Sequence, residues 1–272
     1  MNSSIPAVEN LPNEGGLEKI LKRDRFIILA SLIVLTLASW AYLFYDDWRM
    51  RTTGSCCKLA EVDLHHWLSP DLLLLFVMWS IMMVAMMAPT AAPMVLTFAA
   101  VNRRRRQSQK PYVPAGFFLL GYLLAWTLFS AVATAAQWAL HGAALLSTSM
   151  ASRSAVLGAG ILIAAGIFQL TPLKLACLSH CRDPLNFIMT QWREGAGGAL
   201  MMGLRHGAFC LGCCWILMLL LFVTGVMNFL WVAIITAFVL LEKIAPAAKW
   251  ISRVAGVALI AWAAWLLVLH YR

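Results

Sequence analysis

The sequence predicts an all-α fold, a polytopic transmembrane helix bundle, on three observations. Of its 272 residues, 62% are hydrophobic and 12% charged, with mean hydropathy +0.79. That composition excludes an ordinary soluble domain. The apolar residues gather into seven segments, about 26–45, 70–93, 115–140, 154–175, 198–223, 227–241 and 250–269. Most of these approach the ~20 residues that cross a bilayer. The third observation is the placement of Lys and Arg. With a cytoplasmic N-terminus, only Arg49, Arg51, Lys58, Arg153 and Arg272 of the 21 fall in outer segments, as the positive-inside rule requires. The net charge of +9 then reads as a topogenic signal. The run Arg103–Arg106 sits at a helix end, where lipid headgroups are the expected contact and nucleic acid is not.

Residues 1–25 read as a cytoplasmic N-terminal tail. They are polar, carry Pro6, Pro12, Gly15 and Gly16, and end in charges, so the first span is expected to be an uncleaved anchor. Residues 26–272 contain no linker-like stretch and no repeat, and form one transmembrane domain. The loop after the first span holds Cys56, Cys57, His65 and His66 beside Glu61 and Asp63. This is either an outer metal-presenting patch or a solvated loop. Seven cysteines, an odd number mostly outside that loop, do not form a disulfide framework.

The second span carries a methionine band: Met78, then Met82, Met83, Met86 and Met87. Methionine fills gaps in helix packing, and its thioether is also a selective ligand for copper(I). Pro89 and Pro93 follow. Each frees a backbone carbonyl, which places this helix beside a cavity or a partner helix.

In the third span, Trp126 and Trp138 are expected as interface anchors. The fourth ends in Gln169-Leu170-Thr171-Pro172-Leu173-Lys174, followed by Cys177, His180 and Cys181 at helical spacing. These three form a candidate metal cluster at the cytoplasmic end. Lys174 is expected to snorkel to the interface and Arg182 to meet headgroups.

The fifth span is the centre of the argument. His206, Cys210, Cys213 and Cys214 fall within an arc of roughly 100° on a helix. Thiols and an imidazole in hydrocarbon are costly without partners, and soft or borderline metals prefer these ligands. Gly203 and Gly207 share the face at the small-xxx-small spacing that admits a neighbouring helix. By depth, this group and the methionine band of the second span lie at similar levels near the midplane. The sixth segment is joined to the fifth by a short turn at Gly225, which makes six the fallback span count if it is re-entrant. Its Glu242 is the only acidic residue near a core. It reads as an interfacial ion pair with Lys243 or a basic loop, or as a proton carrier. Trp250, at the start of the seventh span, is expected as an interface anchor.

At these motifs the chain resembles a bacterial family of predicted metal-binding integral membrane proteins, a domain-of-unknown-function family. The resemblance lies in Trp79-x-x-Met82-Met83-x-Ala85-Met86-Met87-x-Pro89, in Gln169 to Lys174 with Cys177, Cys181, Arg182 and Pro184, and in Cys210-x-Gly212-Cys213-Cys214-Trp215. It continues to Gly225, Met227, Asn228, Glu242 and Lys243. It covers about 70–245, with Phe168 standing where the family pattern has tyrosine. It implies metal binding and a multi-pass place in the bacterial inner membrane.

The sulfur-rich, carboxylate-poor set favours copper(I), with zinc second. The candidate metal residues are His206, Cys210, Cys213, Cys214, Cys177, His180, Cys181, Met82, Met83, Met86 and Met87. The expected function is binding of a soft metal for transport, or for delivery to a membrane metalloenzyme by ligand exchange. A metallochaperone or metalloenzyme would be the partner besides the lipid bilayer. No nucleotide-binding motif supplies energy, and no catalytic residue set stands out, which favours a protein that is not an enzyme. Two alternatives stay open: a membrane thiol-disulfide oxidoreductase using the Cys210/Cys213 pair, and a structural subunit whose sulfur residues only pack.

Overall fold

A computed structural model describes residues 14–53, 70–107, 113–142, 155–226 and 228–271. Among them all regular structure is helical, in ten helices. The loop with Cys56, Cys57, His65 and His66 and the first thirteen residues of the tail lie outside the described residues.

Five helical stretches are long and apolar enough to cross a membrane. They are Arg25–Arg49 within α1 (Glu14–Thr53), Leu72–Arg105 within α2 (Pro70–Gln107), α3 (Ala115–Gly142), Gly195–Thr224 and Ala248–His270. A sixth is counted if α4 (Ala155–Leu170) and α5 (Pro172–Arg182) are taken together, although they meet at 64°. A continuous helix over 154–175 was expected. It breaks because proline disfavours the helical conformation in the residue before it. Thr171 is extended (φ −73°, ψ 146°), and its hydroxyl accepts from the Lys174 amide as the N-cap of α5. A short α6 (Pro184–Gln191) then leads to α7 (Gly195–Leu219) and α8 (Leu221–Thr224). Gly225 turns the chain at φ 96° into α9 (Phe229–Ile244), capped by Asn228. At 16 residues and about 1.5 Å per residue, α9 falls short of a ~30 Å hydrocarbon core. Helix α10 (Ala248–His270) closes the chain.

Two close helix pairs hold the bundle. Helix α7 runs along α3, and a Cβ on Gly203 would collide with the Phe118 carbonyl oxygen. The face of α7 that carries its thiols is thus a helix-contact face, as Gly203 and Gly207 suggested. Helix α4 packs on α10, where Gly166 and Gly256 lie against each other's backbone. Helix α1 covers α2 from outside. Pro89 cannot donate to the Ala85 carbonyl, and the indole of Trp40 on α1 takes that carbonyl at 3.0 Å.

Candidate metal centre

The site is assembled by α7 and the bend before α5. On α7, Cys210, Cys213 and Cys214 are all buried, Cys210 at 0% exposure. Their i, i+3, i+4 spacing brings the thiols to one side. The Cys213 and Cys214 thiols also donate to the Cys210 carbonyl at 3.0 and 2.9 Å. The 64° bend swings α5 against α7 and carries Cys181 to the same place. The Cys181 thiol comes within interaction range of the thiols of Cys210 and Cys213. One turn earlier on α5, the Cys177 sulfur lies over Gly212, where a Cβ would sit 2.8 Å from it. The two cysteine groups expected at different depths therefore lie side by side. All five cysteines are free thiols.

The other predicted ligands divide. His206 is buried in an aromatic nest. Its ring stacks on Tyr122 (centroids 5.5 Å apart), Phe187 stands 5.6 Å away, and its Nδ1 has no hydrogen-bond partner. His180 is exposed. Its ring lies on Phe209, with centroids 4.3 Å apart, and its Nδ1 faces the Ala176 carbonyl. Met82, Met83, Met86 and Met87 are buried in the same core as the α7 thiols. The band reaches the site through the Met87 carbonyl, which accepts from the hydroxyls of Thr90 (2.8 Å) and Tyr122 (3.1 Å).

Three side chains at the site were not anticipated. The Lys243 ammonium donates to the Cys210 sulfur and to the Thr90 hydroxyl, each at 2.9 Å. The Tyr122 hydroxyl lies 3.2 Å from the same sulfur. The signal for Lys243 was its adjacency to Glu242. Neighbouring helix residues point about 100° apart and do not face each other, so each needed a separate partner.

Glu242 pairs instead with Lys174, at 2.5 Å, and the Ser252 hydroxyl donates to the same oxygen at 2.7 Å. Lys174 is 0% exposed, so the expected snorkelling to an interface does not occur. The bend turns its side chain inward. Arg182 donates to the Ala245 carbonyl at 2.6 Å. Gln169, at the end of α4, is buried with both amide atoms unpartnered. It lines an apolar cavity of about 230 Å³ among α4, α7, α8, α9 and α10.

Chemically this is a compact thiol group with one cation and one phenol against it. Among the described residues, no three or more His, Cys, Asp or Glu side chains stand in an arrangement that holds a metal ion. Residues 76–266 match the family model PpoB2, described as copper chaperone. No curated protein and no solved structure matches the chain.

Proposed function

Because the chain belongs to the copper-chaperone family PpoB2, we propose that it is a multi-pass protein of the bacterial inner membrane that holds copper(I) on cysteine sulfur and delivers it to a membrane metalloenzyme. The observation that carries this reading is the packing of α5, with Cys177 and Cys181, against the face of α7 that bears Cys210, Cys213 and Cys214. Thiolate sulfur selects copper(I) over oxygen-seeking ions. An apolar surround, with Gly203 and Gly207 drawing α3 close, shields the bound ion from water. Cys177, His206 and the methionine band Met82, Met83, Met86 and Met87 are the further donors through which the ion enters or leaves. His180, at the surface, is the outermost of the set.

Transfer is ligand exchange without redox change. A donor protein's bis-thiolate copper(I) gives its ion to two thiols of this chain, and the two protons released pass to the donor's thiolates. Delivery is the same step in reverse. The metal is cargo and is not consumed.

The test is elemental analysis of purified wild-type protein beside the triple variant Cys210→Ser/Cys213→Ser/Cys214→Ser. Copper near one equivalent per chain in the first and its loss in the second is the expected result. A second reading is favoured by the Cys-x-x-Cys spacing of Cys210 and Cys213 and by the contact of the Lys243 ammonium with the Cys210 sulfur. Under it, Cys210 and Cys213 would cycle between dithiol and disulfide, taking two electrons and two protons from a partner dithiol and passing them to a membrane quinone. Metal-free protein that accumulates this disulfide would replace the copper reading.

A further inference from the structure

Two lysines approach the thiol group, and they differ in one respect. Lys174 is neutralised by Glu242 at 2.5 Å. The contacts of the Lys243 ammonium are the Thr90 hydroxyl and the Cys210 sulfur, and among the described residues no carboxylate forms an ion pair with it. The next cation along, Arg182, is turned to the Ala245 carbonyl and is followed by Asp183. Tyr122 and Thr90 add neutral hydroxyls. The fixed charge at the Cys210 sulfur is therefore a single positive one, set in an apolar core where uncompensated charge is strongly disfavoured.

The thiols also differ among themselves. Those of Cys213 and Cys214 are engaged with the Cys210 carbonyl on their own helix. Helix α5 packs on α7, and the Cys181 thiol comes within interaction range of the Cys210 thiol. These two sulfurs stand on different helices.

We propose that the site selects for valence: a monovalent soft cation bound between the sulfurs of Cys181 and Cys210, with Lys243 as its built-in counter-charge. The inference rests on the copper reading above and names the class of ion taken. A monovalent ion on two thiolates carries one negative charge, and Lys243 cancels it. A divalent ion on the same two thiolates is neutral by itself and strands the ammonium. The discrimination is thus made by electrostatics and does not depend on sulfur preference alone, since zinc and cadmium also bind thiolate.

The experiment titrates purified, detergent-solubilised full-length protein with four probes. Copper(I) and silver(I) are monovalent; zinc(II) and cadmium(II) are divalent. Copper(I) is measured against a competing chelator. In Lys243→Met, affinity for both monovalent ions falls by at least about tenfold, while affinity for the divalent ions holds or rises. Lys243→Arg keeps the charge and retains the monovalent preference. Cys181→Ser weakens copper(I) as much as Cys210→Ser does, and Cys213→Ser does so less. A Lys243→Met protein of unchanged elution profile that binds all four ions as the wild type does would overturn the inference. So would one that loses monovalent and divalent ions alike. If the wild type takes up neither copper(I) nor silver(I), the copper reading itself fails, and that outcome is distinct from a loss of selectivity.

Discussion

Lys174 on α5 and Glu242 on α9 form an ion pair 2.5 Å long, with side chains 0% and 2% exposed. Ser252 on α10 donates to the same carboxylate oxygen, so three helices meet at one polar point. Removing one partner leaves a buried charge unpaired. Glu242→Ala is expected to cost about 3–5 kcal/mol. The double variant Lys174→Met/Glu242→Leu should recover most of that, because a packed apolar pair replaces the ions. Thermal unfolding of the three proteins checks this. A single variant as stable as the double one would show that the pair is not held tightly.

The α3–α7 contact depends on a missing side chain. A Cβ at Gly203 meets the Phe118 carbonyl oxygen, so Gly203→Ala must push the helices apart, at about 1–3 kcal/mol. Gly160 on α4 has nothing within 4 Å of the same position. There the same change should stabilise, by up to about 1 kcal/mol, through helix propensity alone. Opposite signs for the two substitutions in a melting experiment are the expected outcome. Equal small effects would mean that α3 and α7 are not in backbone contact at that point.

Copper(I) that binds the folded site and not the unfolded chain must raise thermal stability. At free ion one hundred times the dissociation constant the gain is about 2.7 kcal/mol. Cys210→Ser and Cys181→Ser should each abolish most of the shift, and His180→Ala should leave it, since that imidazole lies at the surface on Phe209. Differential scanning fluorimetry with and without copper(I) reads all four proteins. A shift that survives Cys181→Ser would remove α5 from the site.

The periodic and compositional features were legible in the sequence. Apolar runs located α1, α2, α3, α7 and α10. The shared face of Gly203, Gly207 and Cys210 foretold a helix contact, because spacing on one helix is local information. What depended on the path of the chain was not legible. Counting depth from the ends of a straight span put Cys177 and Cys181 at one level and Cys210 at another. That count assumes an unbroken helix. Thr171 breaks it, and the turn that follows delivers Cys181 to Cys210 and Lys174 to Glu242. The signal was present in Thr171-Pro172, a capping residue followed by a ring that lacks an amide proton. The direction of the bend was not, since packing against α7 sets it.

Tyr122 and Thr90 were invisible for another reason. Each is an ordinary residue in an apolar helix, and only the crossing of α2, α3 and α7 gives them a common neighbour. Lys243 was visible but was assigned to the wrong companion.

The break at Thr171 makes the thiol group a seam between two separately anchored helices. Three of the sulfurs ride on α7, while Cys177 and Cys181 stand on the eleven-residue α5, with a non-helical residue at either end, Thr171 and Asp183. The approach of those two sulfurs to α7 is held at both ends of α5, by the cap at Thr171 and by Arg182 on the Ala245 carbonyl, and along it by the buried Lys174–Glu242 pair.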